Sequence, residues 1–266
     1  MIQKNLGLFY SPPVLGVLAF FLSIVFIFIL ATAQIAYTAI IGIIYLASSS
    51  LFAKEIIDKI IQTIRTWFPE TLEQIEKNLK KTFILHRPST SVEGLYIWHP
   101  HGLFASAPYI HNCLALGQDS QKMELASISL FHRFPIVRDI AKYIGLISAS
   151  YDSIKSSLEQ RSVALVVGGV EEMFHVDPKE IQLILKKRSG FLRLALETKK
   201  PLIPVMTYAE NELFTNLKDY TNSSLNKGLK RWLGIIIPIS SLESVLKWSE
   251  LKDNPLGEVH TYVGDP

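Results

Sequence analysis

The chain of 266 residues has one cysteine, Cys113, so it can form no internal disulfide, and no CxxC or Cys/His spacing for a structural zinc occurs. Charge is also scarce. Only 19% of residues are charged against 48% hydrophobic, which excludes a disordered chain and a charged helical rod. Neither sign forms a block: the net charge is +3, Lys and Arg alternate with Asp and Glu, and a nucleic-acid partner is not expected. No GxSxG nucleophile elbow starts a serine-hydrolase triad, and neither the Walker pattern nor GxGxxG marks a nucleotide loop. There is no internal repeat or low-complexity tract.

One absence is local. Residues 5 to 53 contain no Asp, Glu, Lys or Arg. A hydrocarbon core of about 30 Å takes roughly 20 helical residues, so this stretch is about two crossings long. A signal peptide fits poorly, because its apolar region would be much shorter and would end in a small-residue cleavage site. Ala31-Thr32-Ala33-Gln34 offers a turning point, and residues 1–53 read as a transmembrane helical hairpin, with a single tilted crossing as the alternative. A thin excess of Lys54, Lys59 and Arg65 over Glu55 and Asp58 points the remainder to the cytosol. Residues 54–81 read as interfacial amphipathic helices: Ile56, Ile57, Ile60, Ile61, Ile64, Trp67 and Phe68 share a face that suits a bilayer or a core equally well. Pro69 ends the first helix, and Leu72, Ile75 and Leu79 mark a second.

Residues 82–266 read as an α/β domain with a mixed sheet and flanking helices. Short apolar runs at Leu95–Trp98, Glu124–Ser129, Ile144–Ser148, Ser162–Val167, Pro201–Tyr208 and Ile235–Ile239 suggest strands. Helical patterns lie near Ala105–Leu116, Val137–Tyr143, Ile154–Gln160, Lys179–Glu197 and Leu242–Leu246. Asp177-Pro178 with Glu180 carries the cap, first-turn proline and carboxylate of a helix start.

Chemistry concentrates where strands end. The apolar run Leu95-Tyr96-Ile97-Trp98 leads straight into His99-Pro100-His101-Gly102, and in α/β sheets ligands bind beyond the carboxyl ends of strands. A neutral imidazole there can take a proton from a hydroxyl near pH 7. A second run, Val163 to Val167, ends in Gly168-Gly169-Val170-Glu171-Glu172; the glycines let a ligand approach the backbone, and Glu172 is a candidate to orient an imidazole. Arg188, Gly190 and Arg193, followed by Glu210-Asn211, form a third group whose cations suit the phosphates of coenzyme A. His99-x-His101 could begin a metal site, but the Asp and His of a dinuclear motif are missing downstream, so no metal is expected. Cys113, in an apolar stretch, reads as a buried structural thiol.

Taken together these blocks resemble the diacylglycerol acyltransferase 2 family, which includes monoacylglycerol, wax-ester and sterol acyltransferases. His99-Pro100-His101-Gly102 looks like its HPHG signature, Phe134 to Asp139 like its proline-to-arginine segment, and Gly168 to Glu172 like its GGxxE block. Arg188-Ser189-Gly190-Phe191 and Pro204 to Asn211 are similar to its RxGF and PV-to-GEN blocks, all in family order. Ala209 stands where the family usually has Gly, and Val263-Gly264-Asp265-Pro266 looks like a VGxP segment that normally continues, so the chain reads as short or truncated at that end.

The resemblance implies a glycerolipid-acyltransferase-like fold in the endoplasmic reticulum membrane, its catalytic domain facing the cytosol. It implies transfer of a fatty acyl group from acyl-CoA, a co-substrate rather than a bound cofactor, to a lipid hydroxyl. Diacylglycerol is the expected acceptor, followed by monoacylglycerol, a wax alcohol or a sterol. His101 is then the general base, with His99 and Glu172 beside it. Gly102, Gly168, Gly169, Arg188, Gly190, Arg193, Glu210 and Asn211 are the expected substrate contacts. In related glycerolipid acyltransferases an Asp follows the histidine five residues on; here that position is Ser106. The competing readings are a membrane metal hydrolase and a non-catalytic lipid-binding homologue. Self-association into a homo-oligomer stays open.

Overall fold

The computed structural model describes residues 53–266, apart from 89–91, 115–122, 187, 215, 250, 252, 254 and 255. The hairpin expected over residues 1–53 falls outside them except for Ala53. No helix among the described residues is long and apolar enough to cross a membrane.

Strand β2 (Leu95–His99) is buried along its whole length, which explains why its sequence is a continuous apolar run rather than an alternating one. It lies parallel between β5 (Val163–Val166) and β6 (Leu202–Tyr208). Beyond β5 come β3 (Glu124–Ser127) and β4 (Leu146–Ser148), also parallel. Beyond β6, β7 (Val259–Val263) runs antiparallel and pairs with β1 (Phe83–His86) at the edge, giving the order β1-β7-β6-β2-β5-β3-β4. The sheet is therefore mixed, as expected, but β1 and β7 carry no clear strand signal in the sequence. The inward positions of β7 are Val259 and Thr261, both fully buried, and a buried Thr hides the apolar pattern.

That Thr belongs to a polar chain inside the core. Trp98 Nε1 donates to Thr207 Oγ1 at 2.9 Å, Thr207 meets Thr261 at 3.0 Å, and Thr261 meets His111 Nε2 at 3.0 Å. Each polar atom thus has a partner and the chain ties β2, β6 and β7 to helix α3 (Ser106–Leu114). Burial holds the His111 imidazole down to about 4, so it stays neutral.

Two helices precede the sheet, α1 (Ala53–Trp67) and α2 (Pro69–Thr82), divided where Pro69 was expected to divide them. Ile60, Ile64, Trp67 and Phe68 of the apolar stripe are exposed, Trp67 to 72%. Alongside α1 packs α4 (Pro135–Tyr143), where Val137 and Ile140 are exposed too. The remaining helices on the sheet's flanks include α5 (Tyr151–Leu158), α6 (Gly169–Met173), α7 (Gly190–Thr198), α8 (Glu210–Leu213), α9 (Lys218–Thr221), α10 (Ser224–Leu233) and α11 (Leu242–Ser249).

Three expectations are corrected. The helix read over Lys179–Glu197 is confined to α7, because Glu172 Oε1 binds the Ile184 amide at 2.8 Å and holds the preceding segment out of helical form. Asp177 does accept from the Lys179 amide at 2.9 Å, but its carboxylate also pairs with Lys218 at 2.6 Å and no helix follows. The strand read over Ile235–Ile239 is not formed: the Asn226 side chain takes both backbone groups of Ile237, at 3.0 and 3.2 Å, in place of a neighbouring strand. Finally, Cys113 is exposed. On α3 the buried face runs through Ala107 and His111, and a residue two positions beyond His111 falls on the opposite side.

Candidate active site

The three central strands are parallel, so their carboxyl ends meet at one edge of the sheet. Strand β2 ends at His99 and the chain continues into Pro100, His101 and Gly102, with a cis peptide bond before Pro100. From β5 it enters Gly168-Gly169 and α6, and from β6 it enters Ala209 and α8. The sequence blocks around His101, Glu172 and Glu210 are thereby gathered at one place.

Glu172 is the anchor of this place, 2% exposed. Its Oε2 accepts from the His101 amide at 2.8 Å, its Oε1 accepts from the Ile184 amide at 2.8 Å, and Oε1 lies 4.0 Å from His99 Nδ1. It therefore meets His101 through the backbone, while the imidazole Nδ1 is 3.0 Å from the Gly102 carbonyl. A carbonyl only accepts, so Nδ1 carries the proton and Nε2 keeps its lone pair. Burial pushes the His101 imidazole below its ordinary value, against smaller opposing effects of the Gly102 carbonyl and Glu172, and the ring is neutral at pH 7. Burial lowers His99 in the same way, again partly offset by Glu172, and its Nδ1 has no hydrogen-bond partner. No group of three or more His, Cys, Asp or Glu suited to a metal occurs among the described residues.

The two glycines after β5 do different things. A Cβ on Gly168 would lie 1.8 Å from the Glu172 carboxyl carbon, so the space at Gly168 is filled by that carboxylate. Gly169 has φ +55° and open space beyond it. Gly102 has φ +62°, and a Cβ there would sit 3.4 Å from both the Glu210 carboxyl and Asn211 Oδ1.

Glu210 is as buried as Glu172, 2% exposed, and its Oε1 accepts from the Ser106 hydroxyl at 2.7 Å and the Ala107 amide at 3.1 Å. Ser106 thus reaches a carboxylate through space where an Asp would have supplied its own. Sequence reading noticed the missing Asp but not this partnership, since the residues are 104 positions apart. Burial, against those hydrogen bonds, pushes Glu210 up to about 7.

A carboxyl raised in the folded state binds more protons than the unfolded chain between about pH 4.5 and 7, so this contribution to stability falls as pH rises through that window. The expected size is about 3 kcal/mol at most, from about 1.4 kcal/mol per unit. Glu210→Gln removes the dependence: thermal melting of the variant relative to wild type shifts upward between pH 5 and pH 8. An unchanged difference across that range contradicts the assignment.

Arg188 Nη2 reaches the Gly168 carbonyl at 3.4 Å, which keeps it beside the site. Arg193 is placed otherwise: its Nε binds Tyr151 at 3.1 Å and Glu197 at 2.9 Å, on α5 and its own helix, with the guanidinium 4.6 Å over the Tyr151 ring. Gly190 starts α7 and has open space where a Cβ would point. Asn211 Nδ2 donates to the Asp177 carbonyl at 3.2 Å. A cavity of about 290 Å³ opens next to Pro100, bordered by Lys179, Tyr208, Glu210 and Asn211.

Residues 33–266 match the family model described as Diacylglycerol acyltransferase. The chain belongs to the diacylglycerol acyltransferase family. It is 28% identical over 184 residues to Diacylglycerol O-acyltransferase 2A of Umbelopsis ramanniana, covering 65% of this chain and 52% of that protein. It is 33% identical over 172 residues to Acyl-CoA wax alcohol acyltransferase 1 of Mus musculus, covering 62% and 49%. Among solved structures it is similar to the 1-acyl-sn-glycerophosphate (LPA) acyltransferase PlsC from Thermotoga maritima, at 16% identity and TM-score 0.39, covering 90% of this chain and 84% of that one. The chain spans about half the length of the relatives it matches.

Within this diacylglycerol acyltransferase family chain, Ala209 has φ +65°, the left-handed region that a Cβ disfavours by about 1–2 kcal/mol. Glycine adopts it freely but loses more entropy on folding, about 0.5–1 kcal/mol. Ala209→Gly is therefore expected to stabilise the fold by up to about 1 kcal/mol, read as a rise in the chemical-denaturation midpoint. A fall in that midpoint counts against strain at this turn.

Proposed function

We propose that this chain is an acyl-CoA-dependent O-acyltransferase that moves a fatty acyl group to a lipid hydroxyl, with diacylglycerol as acceptor and His101 as general base. The observation that carries the reading is the His101 ring: neutral, its Nδ1–H fixed on the Gly102 carbonyl, its Nε2 free to accept. The acceptor oxygen attacks the thioester carbonyl as its proton passes to Nε2. The C–S bond breaks, and the proton returns from the imidazolium to the coenzyme A sulfur, leaving ester and free thiol. No covalent enzyme intermediate is needed. The amides of Gly102 or Gly169 are proposed donors to the oxyanion, and Arg188 a contact for coenzyme A phosphate.

The relatives' names favour this class but divide over the acceptor, one naming diacylglycerol and another wax alcohol. Location at the endoplasmic reticulum membrane, with the α/β domain towards the cytosol, belongs to the same proposal. The exposed apolar residues of α1 and α4 support membrane contact. The test is labelled oleoyl-CoA given to membranes containing the chain, with diacylglycerol, monoacylglycerol, a long-chain alcohol or a sterol. Label in triacylglycerol above all other products supports the proposal; label in another ester moves the acceptor, and no ester from any alcohol defeats it. Protease digestion of sealed microsomes tests the orientation, which requires that the α/β domain be cut from outside.

A further inference from the structure

Amphipathic helices of a folded domain turn their apolar stripe inward, and α10 and α11 leave much of theirs outside. In α10 the fully buried side chain is Asn226, held by the Tyr220 carbonyl at 3.3 Å and by both backbone groups of Ile237. Leu225, Trp232 and Leu233 stay exposed, Trp232 to 82%. In α11 the buried side chain is Ser244, bonded to Ser241 at 3.1 Å, while Leu242 and Val245 stay exposed, Leu242 to 72%. Ile237, in the connection between the two helices, is exposed as well. Single exposed apolar residues are ordinary on a protein surface, but a run of them over two successive amphipathic helices calls for an apolar partner.

The charge on the same segment points to the partner's class. Residues 222–242 contain Lys227, Lys230 and Arg231 and no Asp or Glu. At about 3.6 residues per turn, Leu225, Leu229 and Trp232 fall on one side of α10 and Lys227 and Arg231 on the other, the pattern of a helix lying in a lipid interface. A protein groove would also take the leucines, but positive charge with no acid among it suits anionic headgroups. Lys230 Nζ pairs with Glu171 at 2.5 Å and stands 4.7 Å over the Phe174 ring, which fastens α10 to α6, the helix that carries Glu172. We infer that α10 and α11 dock on a bilayer leaflet with anionic phospholipid headgroups, Leu225, Trp232, Leu242 and Val245 entering the acyl boundary and Lys227 and Arg231 meeting the phosphates. This surface is additional to the one on α1 and α4. It brings the catalytic edge of the sheet to the level at which a lipid alcohol is dissolved, a consequence that rests on the transfer reaction proposed above; the docking itself does not.

The test reads lipid contact at this surface alone. The full chain with Cys113→Ser and Leu242→Cys carries a fluorophore on the introduced thiol and is reconstituted in vesicles of phosphatidylcholine, alone or with about one-quarter phosphatidylserine, doped with lipids that bear a doxyl quencher on the acyl chain. Quenching at position 242 is expected to be severalfold above that of a label placed by Gln160→Cys, an exposed position just before β5 at the opposite edge of the sheet, and stronger with phosphatidylserine. Lys227→Gln with Arg231→Gln removes two cations, each worth about fivefold in partition to an anionic surface, so the increment due to phosphatidylserine should disappear. Wild type supplies a measurement that no introduced residue can disturb: hydroxyl radicals should oxidise Trp232 severalfold more slowly in phosphatidylserine vesicles than in phosphatidylcholine alone. Quenching at 242 no greater than at 160, or equal in both lipids, overturns the inference. So does a label whose emission responds to protein concentration and not to lipid, which assigns the face to a second copy of the chain. If wild type acylates no alcohol while the label at 242 is quenched, the transfer reaction falls and the docking stands. If transfer proceeds with that label unquenched, only the docking falls.

Discussion

His101→Ala lowers acyl transfer by about 10²- to 10⁴-fold, the range associated with loss of a positioned general base. The fold should survive, because Glu172 holds this loop through the His101 backbone amide, which alanine retains. The ring's own bond to the Gly102 carbonyl is local and worth about 1 kcal/mol. His99→Ala provides the contrast. That ring is 7% exposed and lies 4.0 Å from Glu172, so its removal opens a buried space and should lower the melting temperature more than His101→Ala does. The pH profile separates a base from a binding group. Burial lowers the His101 imidazole, so the wild-type rate should begin to fall at a lower pH than an ordinary imidazole base would impose. A His101→Ala protein that binds membranes, melts normally and transfers acyl groups at the wild-type rate removes His101 from the chemistry.

Why the sequence showed this site and not all its neighbours follows from how each contact is encoded. Strand β2 is buried along its whole length and stands out as a continuous apolar run, and the parallel arrangement of β2, β5 and β6 brings their polar ends to one edge. The histidines, Glu172 and Glu210 were therefore recognisable from position alone. What linked them was not. Glu172 grips two amides, and an amide is present at every non-proline residue, so nothing in the sequence at Ile184 announces the bond. The Ser106–Glu210 pair and the Asn226 clasp on Ile237 are likewise side-chain contacts made through space. Arg193 shows the opposite case. Its cationic side chain close after Arg188 suggested phosphate, yet Glu197, one helical turn on, is a sufficient partner.

Gly168→Ala is expected to abolish activity, by an indirect route. The added methyl would stand 1.8 Å from the Glu172 carboxyl carbon, far inside contact distance, and Glu172 is buried with nowhere near at hand to retreat. Displacing the carboxylate leaves the amides of His101 and Ile184 without their acceptor, at about 1–3 kcal/mol each, and frees the loop that aims the imidazole. A loss of about 3 kcal/mol or more in stability should accompany the loss of transfer. Glu172→Ala removes the same two acceptors by a direct route, so the two substitutions act on one contact and should not add. The double variant, in which the methyl meets no carboxylate, should be no less stable than Glu172→Ala alone, and unfolding by denaturant of the four proteins measures this. Additive losses place the role of Gly168 elsewhere, in the turn itself. A coupling of about 2 kcal/mol or more shows that the first glycine after β5 is there to make room for the carboxylate.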